Sequence, residues 1–166
     1  LLLRHGWQIH QHIVTLSWNG VLPPNVNLLP DAVIRPILPE DIPSVTRIDN
    51  LAFEPLWQLS ELSLKQAFEQ SAFAPLLEIR GQIVAYQIST ASSFNAHLAR
   101  LAVQPELQGK SIGYALVLDL LKHLERLNIW SVTVNTQHDN ASSQALYRRL
   151  GFSLTGDQFP VLVYPR

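Results

Sequence analysis

Two strand-to-turn-to-helix transitions follow one another between residues 98 and 152, and they restrict this chain more than any other feature. In the first, residues 98–103 are almost continuously apolar and Pro105 punctuates the turn. Residues 112–127 then set Val117, Leu120, Leu121, Leu124 and Leu127 at helical spacing. Gly109 and Gly113 flank that turn, so the backbone can hold unpaired amides at a helix N-terminus, where the macrodipole also favours an anion. Lys110 adds a cation. A Walker A loop is excluded, because Gly-Lys-Ser at 109–111 would require glycine at 104, where Gln104 stands. Two readings stay open at this point: an anion cradle, or an ordinary loop that holds two glycines.

The second transition joins a β-rich segment, residues 131–136, to a helix over 141–150, with Asn140 at the N-cap and Gly151 where a left-handed C-terminal cap belongs. Asn140 and Tyr147 are seven residues apart. On a helix they therefore differ by about 20° in azimuth and roughly 10 Å along the axis, and point to the same side. Tyr147 is then either a core aromatic with a satisfied hydroxyl or a phenol facing a ligand.

Together these segments resemble the GNAT superfamily of acyl-CoA-dependent N-acetyltransferases. The family's pyrophosphate loop, Q/R-x-x-G-x-G/A, is matched by Gln108, Gly109, Lys110, Ser111, Ile112 and Gly113, except that Ser111 replaces the first glycine. Its second signature, Asn followed seven residues on by Tyr and then by Gly-Phe, is matched by Asn140, Tyr147, Gly151 and Phe152. The resemblance covers residues 32–166 in element order. It implies an α/β fold with a mixed, mostly antiparallel central sheet, a splayed parallel strand pair and flanking helices. It also implies acetyl-CoA as cosubstrate, with an amine acceptor that is a small molecule or a peptide N-terminus.

Carried over residue by residue, the resemblance assigns backbone pairing with the pantetheine arm to Leu101, Ala102 and Val103. The amides from Gln108 to Tyr114 would cradle the pyrophosphate, and Asn140 would bond the pantetheine amide. Tyr147 would protonate the departing thiolate, and a backbone amide at the splay would stabilise the oxyanion. Ser111 places a Cβ where bare backbone is usual, so weakened or neutral binding is expected there. Glu54 and Trp57 lie in the connection that resembles the aromatic-rich acceptor loop of ribosomal-protein alanine acetyltransferases.

The amine must lose a proton, and many relatives use a glutamate for this. The resemblance sets His97 at the position of the histone acetyltransferase glutamate and Asn135 at that of the alanine acetyltransferases; Asn135 cannot be a base. His97, with a reference pKa near 6.5, can be. Strand alternation would put it on the face of Ala99 and Leu101. The other reading of His97 is a buried or rim histidine bonded to a carbonyl. The expected activity is direct acetyl transfer in a ternary complex. The alternative, motivated by Ser111, Asn135 and an N-terminus that reads like the end of a tandem unit, is a degenerate, non-catalytic GNAT module that binds acyl-CoA or a partner domain.

Composition narrows the remaining classes. With 166 residues and 47% hydrophobic content, the chain has material for one core. A formal charge of -1 gives no electrostatic footprint for nucleic acid or an anionic membrane. The absence of cysteine removes disulfides, thiolate metal sites and a cysteine nucleophile, so acyl transfer should be direct. His5, His10 and His12 cluster without a nearby carboxylate, and no metal is expected. No apolar stretch is long enough to span a bilayer, and a cytoplasmic location is expected.

Residues 1–7 followed by the β-rich 8–18 read as the last helical turn and strand of a preceding GNAT-like unit, residues 1–20. Pro23, Pro24 and Pro30 mark 21–31 as an extended linker, and 32–166 form the main domain. The alternative is a strand that adds to this sheet or to a partner's edge, with a homodimer possible through exposed edges. Within 32–166 the expected elements are a strand at 33–38, helices at 39–53 and from the Ser60 cap to 70, and a hairpin of 76–80 and 83–90 about Gly81. After the two transitions come closing strands at 152–154 and 161–164.

Overall fold

A computed structural model describes residues 2–164; Leu1, Pro165 and Arg166, which the expected units 1–20 and 32–166 include, lie outside the described residues. In chain order the strands are β1 (Gln8–Trp18), β2 (Ala32–Pro36), β3 (Pro75–Ile79), β4 (Gln82–Ala91), β5 (Asn95–Val103), β6 (Ser131–Gln137) and β7 (Phe152–Val163). The α-helices are α1 (Ile42–Ala52), α2 (Glu61–Glu69), α3 (Ile112–Arg126) and α4 (Ala141–Arg149). The strands form one sheet in the order β2-β3-β4-β5-β6-β1-β7. No helix among the described residues is long and apolar enough to cross a membrane.

Local chemistry accounts for most boundaries. The Ser60 side chain accepts from the Ser63 amide and caps α2, and the Asn140 side chain does the same for Ser143 in α4. Arg80 and Gly81, both at positive φ (52° and 77°), make the two-residue turn that joins β3 to β4. Gly151 follows α4 at φ +88°, and a Cβ there would stand 2.8 Å from Asn19 Oδ1, so both conformation and space call for glycine.

Two helical layers cover the sheet. On one face α1 sets Ile42, Val45 and Ile48 against Tyr86, Ile88 and Ala102. On the other, Val117, Leu120, Leu121 and Leu124 of α3 pack with Val14, Leu16, Leu98, Val132 and Val134. β5 and β6 form the parallel pair, in register from Asn95–Ser131 to Leu98–Val134. Beyond that point the two strands part, although both continue, to Val103 and Gln137.

The N-terminal strand joins this sheet, the arrangement the sequence left open beside a preceding unit. β1 lies inside the sheet between β6 and β7, antiparallel to both. It contributes buried Val14, Leu16 and Trp18 to the core under α3, so residues 8–18 share one sheet and one core with the rest. Segment 21–31 has no regular structure but is pinned rather than free. Tyr114 Oη donates to the Pro24 carbonyl at 2.8 Å, Lys122 Nζ to Asn25 Oδ1 at 2.6 Å, and Leu22 and Val26 pack on the core. The two expected closing strands are one, β7. β1 offers partners along its whole length, from Gln8–Val163 to Trp18–Phe152, with the register shifted between Val14 and Leu16 where Gly156 takes φ +95°.

Leu16 is fully buried in a segment that the sequence reads either as a remnant of another unit or as a strand of this sheet. Leu16→Ala should lower the unfolding free energy by about 2–5 kcal/mol in urea titration. A loss below about 1 kcal/mol would show that β1 is not part of the cooperative core.

Candidate active site

The parting of β5 from β6 opens two adjoining cavities. The larger, about 720 Å³, runs from the β5 residues Leu101, Ala102 and Val103 to the start of α3 and across to α4. The smaller, about 300 Å³, passes between the separated strands, with Leu98, Ala99, Arg100 and Leu101 on one side and Val134, Asn135, Thr136 and Gln137 on the other. Asn140, Ser143, Phe53, Trp57 and Leu101 line both.

At the head of the larger cavity stands the N-terminus of α3. None of the backbone amides from residue 109 to residue 114 has a protein acceptor among the described residues; the first helical bond is Ala115 N–H to the Ser111 carbonyl. No side chain caps this end, unlike α2 and α4. A run of unpaired donors at the positive end of a fifteen-residue helix is suited to an anion. Gly109 is at φ +77°. Gly113 permits close approach: a Cβ there would be 3.2 Å from Leu146 of α4 and 3.6 Å from Val103 of β5. Gln108 ties the loop to the strand, its Nε2 donating to the Val103 carbonyl at 3.1 Å. Gln108, Gly109, Ser111, Ile112, Gly113 and Tyr114 line the cavity; the exposed Lys110 side chain does not.

Ser111 takes φ 61°, ψ 13° as the N-cap residue, the left-handed conformation that glycine would adopt without cost. The strain of that conformation lies in the backbone, where the Cβ crowds the following carbonyl.

Tyr147 is buried, with its ring on Phe152 at 5.7 Å between centroids, and it lines the smaller cavity. Among the described residues no protein group pairs with its hydroxyl, whereas the hydroxyls of Tyr86 and Tyr114 are both bonded. Burial pushes its pKa far above the ordinary phenol value, so the proton is held. Asn140, which lines both cavities, uses Oδ1 to accept from Ser143 N–H and Ser142 Oγ, while Nδ2 reaches Gln137 Oε1 at 3.4 Å.

His97 sits elsewhere. Its strand still pairs with β6 there, Nδ1 lies 2.9 Å from Thr133 Oγ1, and the residue lines neither cavity. Its face also differs from the alternation expected. The β4 register runs from Ile88–Arg100 to Ser89–Leu98, so Ala99 is a bulge, and His97 shares the face of Arg100 and Ala102 rather than that of Leu101. That is the face of α1 and of the loop carrying Phe53, Glu54 and Trp57. Partial burial lowers the His97 pKa below its ordinary value, so the ring is neutral at pH 7.

Glu54 and Trp57 both line the larger cavity, and Asn135 lines the smaller, its Oδ1 accepting from Thr15 Oγ1 at 2.9 Å. Several lining residues escaped the sequence reading. Ser143 and Leu146 follow Asn140 at helical spacing and were within reach of that argument. Gln11 and Ile13 of β1, and Arg100, were not, since only the insertion of β1 beside β6 and the parting of β5 from β6 bring them to the site. Among the described residues no group of three or more metal-binding side chains is gathered.

The Acetyltransferase (GNAT) family model matches residues 42–152, more than half of the chain. The [Ribosomal protein bS18]-alanine N-acetyltransferase of Escherichia coli is 27% identical over 113 residues, covering 68% of this chain and 75% of the relative. The crystal structure of the E. coli ribosomal-protein-S18-alanine N-acetyltransferase superposes with a TM-score of 0.68 at 25% identity, over 74% of this chain and 77% of that one. Mycothiol acetyltransferase of Mycobacteroides abscessus is 27% identical over 130 residues, 70% of this chain but 43% of its own length, so this chain spans less than half of that relative. The fold is shared with the paia N-acetyltransferase of Thermoplasma acidophilum, solved in complex with coenzyme A, at a TM-score of 0.68 and 16% identity over 81% of this chain and 99% of that one.

Ser111→Gly should relieve about 1 kcal/mol of backbone strain and raise Tm by roughly 2–4 °C in differential scanning calorimetry. A lowered Tm would mean that the serine side chain makes a compensating contribution to the loop.

Proposed function

The chain belongs to the Acetyltransferase (GNAT) family, and we propose that it transfers an acetyl group from acetyl-CoA directly to a primary amine within a ternary complex. The observation that carries this reading is the row of unpaired amides at 109–114, opening onto a splayed strand and an unpaired, protonated tyrosine. Acetyl-CoA, when bound, supplies the acyl thioester. The amides at 109–114 and the α3 dipole would hold its pyrophosphate. The β6-facing backbone of residues 99–103, which no strand pairs, would hold the pantetheine arm, with Asn140 at its flank. Tyr147, its proton retained by burial, would donate to the departing thiolate.

The amine must shed its proton on the other side of the sheet. His97 lies on that face and is neutral at pH 7, but it lines neither cavity. It would therefore accept the proton through water rather than by contact. Glu54 and Trp57 would form part of the acceptor wall. The named relatives act on a protein alanine and in mycothiol chemistry, which supports an acceptor that is a peptide N-terminus or a small amine.

A second reading, an acyl-CoA-binding module without turnover, is favoured by Ser111 in its left-handed position and by Asn135 in place of a carboxylate. Calorimetric titration with acetyl-CoA, followed by thiol release over an alanyl peptide, glucosamine and spermidine, separates the two. Binding with release supports the enzyme, binding alone the module, and no binding rejects both.

Tyr147→Phe should reduce kcat about 100-fold with the acetyl-CoA Kd nearly unchanged. A matching loss in both would make the residue structural. The low-pH limb of kcat/KM should reflect a group titrating below 6.5, with activity falling as pH drops and His97 gains its proton. In His97→Asn that limb should disappear; its persistence would assign the base elsewhere.

A further inference from the structure

Arg100 occupies an unusual position: a guanidinium in the splayed stretch of β5, immediately before Leu101, with only 15% of its side chain exposed. It faces α1, where the fully buried Asp49 accepts from Nε at 2.7 Å and from Nη2 at 2.9 Å. Tyr86 Oη donates to the same carboxylate at 2.5 Å, and so does the Leu59 amide at 2.9 Å. Asp49 thus has every acceptor site engaged by three elements.

The loop between α1 and α2 is folded around this arginine. The Phe53 ring lies under the guanidinium at 3.7 Å, the Trp57 carbonyl accepts from Nη2 at 2.5 Å, and the Leu59 amide closes on Asp49. Gln58 completes the loop by donating to the carbonyls of Asn50 and Phe53, each at 2.9 Å. Phe53 and Trp57 line both cavities, and Arg100 lines the smaller, as Tyr147 does. Without these bonds, a loop of single-turn helix and irregular backbone has few ways to hold two aromatic side chains in one place.

We propose that Arg100 is the positioning residue of the acceptor site: its guanidinium organises the Phe53–Trp57–Leu59 loop, and so sets the shape of the wall that selects the amine. This rests on the acetyl-transfer reading above. Lysine cannot replace it, because a single ammonium cannot make the planar fork to Asp49, reach the Trp57 carbonyl and stack on Phe53 together.

The test compares wild type with Arg100→Lys, using an alanyl peptide and glucosamine as acceptor probes and calorimetry for acetyl-CoA. Arg100→Lys should raise the acceptor KM about 10-fold, leaving the acetyl-CoA Kd within about 2-fold. An unchanged acceptor KM in the folded variant, or an equal loss of acetyl-CoA affinity, overturns the proposal. Should thermal scans show that Arg100→Lys does not fold, Gln58→Ala loosens the same loop away from the buried ion pair. It must raise the acceptor KM while the acetyl-CoA Kd holds, and an unchanged KM there is equally fatal. Wild type that fails to bind acetyl-CoA or to turn over any probe sinks the function reading itself, an outcome distinct from a working wild type whose variants keep their acceptor KM.

Discussion

Two parallel strands that share hydrogen bonds for only part of their length organise everything else in this protein. β5 and β6 run in register to Leu98–Val134 and then separate, leaving backbone donors and acceptors of the later β5 residues without a strand partner on that side. Groups of that kind are seldom left unpaired in a sheet interior, because the cost of each is comparable to a lost hydrogen bond. Here they face a cavity in which a ligand can take up the pairing. The smaller cavity at this separation is lined both by Phe53 and Trp57 of the α1–α2 connection and by Ser143 and Tyr147 of α4.

The helix ends repeat this logic. α2 and α4 satisfy their first turn with Ser60 and Asn140, whereas α3 leaves the amides at 109–114 unbonded. α1 lacks a side-chain cap as well, but the uncapped start of α3 is the one that opens onto the larger cavity. Ser111 shows the strength of the constraint, for a non-glycine residue accepts the left-handed conformation so that the loop keeps its shape. Buried Tyr147, protonated and with no partner for its hydroxyl among the described residues, lines the smaller cavity from α4. The Asp49–Arg100 pair supplies rigidity on the opposite face. A buried ion pair is weak evidence for stability, but it is good evidence for a defined geometry when its remaining bonds go to a loop.

Much of this was legible from residue order. Gln108 through Gly113 and the Asn140–Tyr147 spacing located the helix starts, the glycines and the face of α4, because each depends on contacts within one turn. The helices and the β3–β4 hairpin were legible for the same reason, whereas the mixed sheet was expected from the family resemblance. The face of His97 was not: alternation holds until a bulge intervenes, and Ala99 carries no mark that distinguishes it from its neighbours. Nor was the site role of Arg100, whose meaning comes from an aspartate 51 residues away.

Local spacing by itself determined the two strand-to-helix transitions, the glycine turns at 81 and 151 and two of the helix caps, since these are settled by bonds between chain neighbours, while the assignment of 101–103 and 108–114 to a cofactor came from the family resemblance. Tertiary structure alone decided that β1 would enter between β6 and β7, that 152–163 would be one strand, and that Gln11, Ile13 and Arg100 would border the site. Those outcomes depend on which distant backbone completes a sheet edge and which buried charge finds its partner, and no short-range pattern encodes either.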